Sequence, residues 1–304
     1  MLELILFGRT AVLAGLTALA LMPAAVAAGD LCTGFGPQTP RDIAQKSGAN
    51  TRTFSLAPQP WAMNLCNIHT HTYAEHKGPG FSLPGSDGHA GMTPTVHVTR
   101  VASTPAAHDA PAGHDAAPAG GHDIPAGWRC NETATLSDAE RQDPWGGHGP
   151  FGNVKPGDTI EVHWVFTSCD VTPGKGLGAC SSPSCTNPQL RVESQVFLVV
   201  NDPSAASFSA FDYAGTMRNG FHQPMSLPQG SGEPVVFAGS TTGPSYDDST
   251  CSPFQVTWSV RPYCMRLNLM SLHAWAAAGN VFEESHSHGV RPLVTAPDLL
   301  APIP

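Results

Sequence analysis

Residues 159–166 read Thr-Ile-Glu-Val-His-Trp-Val-Phe, directly after the turn signal Lys155-Pro156-Gly157-Asp158. So many β-branched and aromatic residues predict a strand. Only Glu161 and His163 interrupt its apolar character, and residues two apart on a strand share a face. An acid inside such a strand is costly to bury without a partner. The stretch therefore reads as a central strand that carries chemistry on one face, with Val165 next in line on that face.

Outward from it, MNLCNIHTH (63–71) reads as a second strand, with Asn67, His69 and His71 on one face. QLRVESQVFLVVND (189–202), PVVFAGSTTG (234–243) and FQVTWSVRP (254–262) complete the strand set. One convincing helix is predicted, LNLMSLHAWAAAG (267–279), with Gly279 closing it. Strands dominate and do not alternate with helices. The expected class is mainly β (α+β): one domain around a mostly antiparallel central sheet with a few peripheral helices. The 31 glycines, 29 prolines and only 13% charged residues suit such a loop-rich chain.

Residues 1–28 have the layout of a secretory signal peptide: a polar start to Arg9, an apolar run from Ala11 to Met22, and Ala25-Val26-Ala27 before polar sequence. The run falls short of the roughly 20 residues a bilayer span needs, although an uncleaved anchor is the competing reading. The expected product, residues 29–304, is exported to a periplasm or secreted. Its eight cysteines include no CxxC pair, so an oxidising compartment predicts four disulfides, whose pairing the spacing leaves open. A net charge of −9 argues against nucleic acid or an anionic membrane surface as partner. About residues 84–127 the composition turns to Gly, Pro, Ala and His, with His-Asp repeated at His108, His114 and His122. That segment cannot bury a core and reads as a flexible insertion. The repeat is a low-complexity linker or, in a second reading, a loose store of zinc.

His69-Thr70-His71 on one strand and His163 on another can offer three imidazoles to one metal ion, provided the strands pair. Three neutral histidines leave a fourth tetrahedral position for water, the arrangement of a catalytic zinc. Asn67 and Glu161, each two residues before a candidate ligand, are placed to take the second N–H of His69 and His163. Val165, Val256 and Trp258 can wall an apolar pocket beside the metal. The bland alternative is an accidental His-x-His among 14 histidines, with ordinary core around it. His76 reads as structural. His286 and His288 repeat the His-x-His spacing, but EESHSHG is polar and Gly-ended, which points to a surface loop. Three imidazoles do not select zinc strictly, so cobalt or cadmium could replace it.

The blocks NLCNIHTHTYAEHKG (64–78), GDTIEVHWVF (157–166), NPQLRVESQVFLVVND (187–202), FAGSTTGPSY (237–246), PFQVTWSVRP (253–262) and FEESHSHGVRPLV (282–294) resemble the delta-class carbonic anhydrases. The resemblance runs in order from about Trp61 to Pro304 and is interrupted by the insertion. The order His-x-His, Glu-His, Glu-x-His, Ser-Thr-Thr-x-Pro, Val-Thr-Trp also resembles the active-site motifs of the alpha class. It implies an alpha-like sheet, one catalytic Zn2+, and reversible hydration of CO2 to bicarbonate and a proton by a zinc-bound hydroxide. By the same comparison His69, His71 and His163 match the zinc ligands, and Asn67 and Glu161 their partners. Glu75 and Thr241 match the acid and hydroxyl that orient the hydroxide, with Thr242 following in the pocket. CTGFGPQTPRDI (32–43) and Cys251 imply a Cys32–Cys251 disulfide; Cys66–Cys130 is the second pairing expected, closing the base of the insertion. The alpha class carries a proton-shuttling histidine upstream of its first two ligands, whereas no histidine lies between Gly29 and Ile68 here. A non-catalytic periplasmic zinc-binding or zinc-buffering protein is the rival function; it would have no use for Glu75 and Thr241. Hydrolysis of small esters would use the same site.

Overall fold

A computed structural model describes residues 32, 34–52, 54–85, 127–243, 246 and 250–304. The leader at 1–28 and the His-Asp repeat lie outside them. In chain order the strands are β1 (Asn64–Thr72), β2 (Phe81–Pro84), β3 (Trp128–Cys130), β4 (Thr159–Thr167), β5 (Leu190–Val200), β6 (Met217–Arg218), β7 (Phe221–His222), β8 (Val235–Ser240), β9 (Gln255–Val260) and β10 (Met265–Asn268). The α-helices among the described residues are α1 (Asp138–Arg141) and α2 (Leu269–Ala277).

Every residue of β4 is buried, so both its faces are covered. Its alternation divides the core. Ile160, Val162, Trp164 and Phe166 pack with Phe197, Val199 and Leu267 in one cluster that takes in α2. Val165 packs with Val192, Val196, Val256 and Trp258 in another. Glu161 and His163 share the face of Val165 and are thereby set into the second cluster. The main sheet runs β1-β4-β5-β9-β8, with β10 also pairing with β5. The pairs β1–β4, β4–β5 and β8–β9 are antiparallel. β9 and β10 both lie parallel to β5, against Leu190–Ser194 and Phe197–Val200 respectively. They form one line broken at 261–264, where Pro262 has no amide to give the ladder. The class is mainly β as expected, and the sheet is mixed with an antiparallel majority.

β1 carries a bulge: Leu65 faces Phe166 and Asn67 faces Val165, which leaves Cys66 as the extra residue. The bulge resets the alternation, so Leu65 joins the first core cluster and Cys66 the second. The predicted helix start at 267 is corrected. Leu267 and Asn268 belong to β10, because the Asn268 side chain accepts from Met270 N and caps α2. Gly279, at φ +74°, closes the helix from the left-handed region.

Four disulfides join Cys32–Cys251, Cys66–Cys180, Cys130–Cys264 and Cys169–Cys185. The expected Cys66–Cys130 pair is not formed. Cys66 leaves the bulge towards the turn Leu177–Cys180, and Cys130 meets Cys264 at the break between β9 and β10. The base of the insertion is closed by backbone instead: β2 pairs antiparallel with β3, and Gly85 N donates to Gly127 O at 2.9 Å. EESHSHG is likewise no simple surface loop. His288 N donates to Thr70 O and Thr72 N to His288 O, at 2.9 and 2.6 Å, so the segment covers the outer edge of β1. Glu284 and Ser287 are buried there while His286 stays exposed.

Candidate metal centre

The β1–β4 register sets His69 opposite His163 and His71 opposite Glu161. Ring centroids of His69, His71 and His163 stand 5.1, 5.1 and 4.7 Å apart. One nitrogen from each lies within 4.8 Å of the other two. His71 and His163 are buried, and His69 is half-buried at the edge.

One hydrogen bond and one ion-pair contact decide which nitrogens face inward. Asn67 Nδ2 donates to Gly174 O at 3.0 Å, so its Oδ1 is the atom 2.7 Å from His69 Nδ1. An amide oxygen only accepts; Nδ1 therefore carries the hydrogen and Nε2 is bare. His163 Nε2 lies 3.4 Å from Glu161 Oε1, an ion-pair contact rather than a hydrogen bond; with the hydrogen on that carboxylate side, Nδ1 is bare. The two bare nitrogens, His69 Nε2 and His163 Nδ1, then lie 3.3 Å apart. Two lone pairs at that range repel unless a cation sits between them. Two zinc–nitrogen bonds of about 2.05 Å at a tetrahedral angle span about 3.3 Å. The residues fit a tetrahedral metal ion.

Glu161 is the hub behind the ligands. It takes hydrogen bonds from Glu75 N at 2.5 Å and from the Ser194 hydroxyl, and His76 Nδ1 lies 3.3 Å away. Burial pushes its carboxyl up, yet His76 and His163 beside it hold it well below the usual carboxylate range. His76, Glu75 and His163 also gather within 4.8 Å of one another. Because His76 Nδ1 and His163 Nε2 both face Glu161, that group is the support of the site rather than a second metal centre.

Glu75 is buried, and burial pushes its carboxyl up against the opposing pull of His163 and His76. The Thr242 side chain beside it also pulls the carboxyl down. Thr241 Oγ1 lies instead 2.6 Å from Ser252 Oγ. Thr241, the residue expected to pair with Glu75, therefore has Ser252 beside its hydroxyl, with either oxygen able to donate. Thr241 N is still held by Phe254 O, and successive residues on extended chain point opposite ways, so Thr242 turns towards Glu75.

Val165, Val256, Trp258, Thr241 and Thr242 line one small pocket with His69 and His163. Its volume of about 20 Å3 is room for little more than one water-sized molecule. Leu177, Leu190 and Val192 complete its walls and were missed in the sequence. Leu190 and Val192 were legible as strand residues on the face of Ser194; Leu177, in an irregular loop, gave no signal. Ser194 was missed as well, although it stands directly opposite His163. A larger, open cavity of about 490 Å3, lined by Asp170, Thr172, Ser182 and His222 among others, lies away from the three histidines.

A family model for delta carbonic anhydrase matches residues 61–271. No curated protein sequence matches the chain. Among solved structures, the fungal alpha carbonic anhydrase from Aspergillus oryzae matches at 15% identity and a TM-score of 0.22, over 45% of this chain and about half (51%) of that one. With the family model spanning more than half its length, the chain belongs to the delta carbonic anhydrase family.

Proposed function

We propose that the chain is a zinc-dependent carbonic anhydrase that hydrates CO2 reversibly to bicarbonate and a proton. The observation that carries this is the convergence of three imidazoles, two of which line an apolar pocket beside Thr242 and Glu75. His69, His71 and His163 would hold the ion. Bound there, zinc would supply a Lewis acid that lowers the pKa of a coordinated water to roughly 7.

The chain's own residues do the rest. Asn67 and Glu161 fix the tautomers of His69 and His163. Thr242, its hydrogen committed to the acceptor Glu75, presents only lone pairs to the pocket. A nucleophilic water oxygen must donate its hydrogen there and so aims a lone pair into the space bounded by Val165, Val192 and Trp258. Those walls suit CO2, which is apolar and small. The role that the resemblance gives Thr241 passes to Thr242 in this account.

A zinc-buffering protein would need neither the pocket nor the Thr242–Glu75 pair, which is why catalysis is the better reading. Four disulfides fit an oxidising compartment, so export, with residues 1–28 removed as a signal peptide, belongs to the proposal. None of the described helices is long and apolar enough to cross a membrane. Dialysis of the purified protein against a chelator is expected to abolish CO2 hydration, and one equivalent of zinc to restore it. Activity that survives complete metal removal would sink the proposal.

A further inference from the structure

Asn67 can hold His69 in the metal-binding tautomer only if its own amide is held. By itself a side-chain amide can present either oxygen or nitrogen to a neighbour. The group that decides it is Gly174 O, which accepts from Asn67 Nδ2 at 3.0 Å. Gly174 belongs to no strand or helix; it lies in the long loop 168–189 between β4 and β5. Besides the Asn64 Nδ2–Cys169 O bond of 3.0 Å at its base, three contacts pin that loop to the two strands that carry the ligands. Gly174 N donates to Cys66 O at 3.0 Å, Thr167 Oγ1 donates to Cys180 O at 2.7 Å, and the Cys66–Cys180 disulfide brings the two Cα atoms to 5.0 Å. The turn Leu177–Cys180 that ends on this disulfide also delivers Leu177 to the pocket wall.

We infer that loop 168–189 is part of the positioning apparatus of the metal centre, with Cys66–Cys180 as its anchor. The inference rests on the zinc reading proposed above. The relay runs from the disulfide to the Gly174 carbonyl, to the Asn67 amide, to His69 Nδ1–H, and so to the bare Nε2. The bulge at Cys66 acquires a purpose: it turns one cysteine of the ligand strand towards the loop without moving Asn67 and His69 off the site face. The second disulfide of the loop, Cys169–Cys185, closes its base, 16 residues apart; Cys169 N meets the Thr167 hydroxyl, but neither cysteine forms the Gly174–Asn67 or the Asn67–His69 bond. The two disulfides therefore differ in what they support, and that difference can be measured.

The test uses the mature protein carrying Cys66→Ala/Cys180→Ala, beside Cys169→Ala/Cys185→Ala as the control. Zinc affinity is read by chelator competition, and the His69 Nδ1–H resonance of the zinc-loaded protein is followed for exchange with water. Loss of the Cys66–Cys180 pair is expected to weaken zinc binding about tenfold, in the range seen for partners of metal-bound histidines, and to speed Nδ1–H exchange. The control is expected to keep its zinc affinity. Should the first variant not fold, Gly174→Pro retains all four disulfides, removes the amide that reaches Cys66 O, and carries the same expected direction. Unchanged zinc affinity in the folded variant, or an equal loss in both disulfide variants, would overturn the inference. A wild-type protein that binds no zinc would instead remove the reading on which it rests.

Discussion

Thr242→Ala is expected to lower kcat for CO2 hydration by about 100-fold, and Thr241→Ala by less than about tenfold, since a correctly placed polar group of this kind contributes about 10²–10³. The ranking follows from where each hydroxyl is committed. In the proposed reading Thr242 gives its hydrogen to Glu75, a buried carboxyl whose Oε2 has no hydrogen-bond partner among the described residues. Thr241 Oγ1 instead shares a hydrogen bond with Ser252 Oγ, 2.6 Å away. Removing Thr242 frees Glu75 and leaves the attacking water unoriented, while zinc binding is expected to stay intact because neither threonine is among the three proposed ligands. The reverse ranking in steady-state kinetics, with zinc content equal in both variants, would show that Thr241 holds the orienting role after all.

Trp258→Ala is expected to cost about 3–5 kcal/mol of stability, the range for removing a large buried aromatic side chain. Trp258 is 2% exposed, and its Nε1 donates to Ser240 O at 2.9 Å. Its ring centroid lies 4.6 Å from that of His76 and 5.1 Å from that of His163. One side chain thus fills the second core cluster, ties β9 to the end of β8, and backs both the ligand and its support. Melting is expected to fall by roughly 10 °C, with Trp258→Phe losing far less. A melting temperature within about a degree of wild type would mean that the site is not built into the core as described.

Much of this was legible because strand alternation is strict. Once TIEVHWVF and MNLCNIHTH are strands, Glu161 with His163, and Asn67, His69 with His71, must share faces, and the antiparallel pairing brings them together. What the string hides is whatever depends on where an element ends. Two consecutive threonines are equivalent on paper; the end of β8 at Ser240 decides which one meets Glu75. The bulge at Cys66 likewise redirects one side chain, and with it a disulfide, without any mark in composition. Glu75 reaches Glu161 across a long insertion because the chain leaves and returns through the β2–β3 ribbon, a pairing too short to predict. Leu177 and Gly174 act from a loop with no periodicity at all, so their roles are tertiary facts. The covering of β1 by Glu284–His288 is of the same kind: polar residues bind an exposed edge through backbone and buried carboxylate, which hydropathy reads as solvent-facing.

The central claim is that His69, His71 and His163 hold a zinc ion that makes this chain a carbonic anhydrase. Stopped-flow CO2 hydration by the mature protein and by His163→Ala, with bound metal determined in both, tests it most directly. The account predicts hydration far above the buffer rate with stoichiometric zinc in the wild type, and loss of both together in the variant. Tight zinc without hydration in the wild type, or a variant that keeps both zinc and activity, would contradict it.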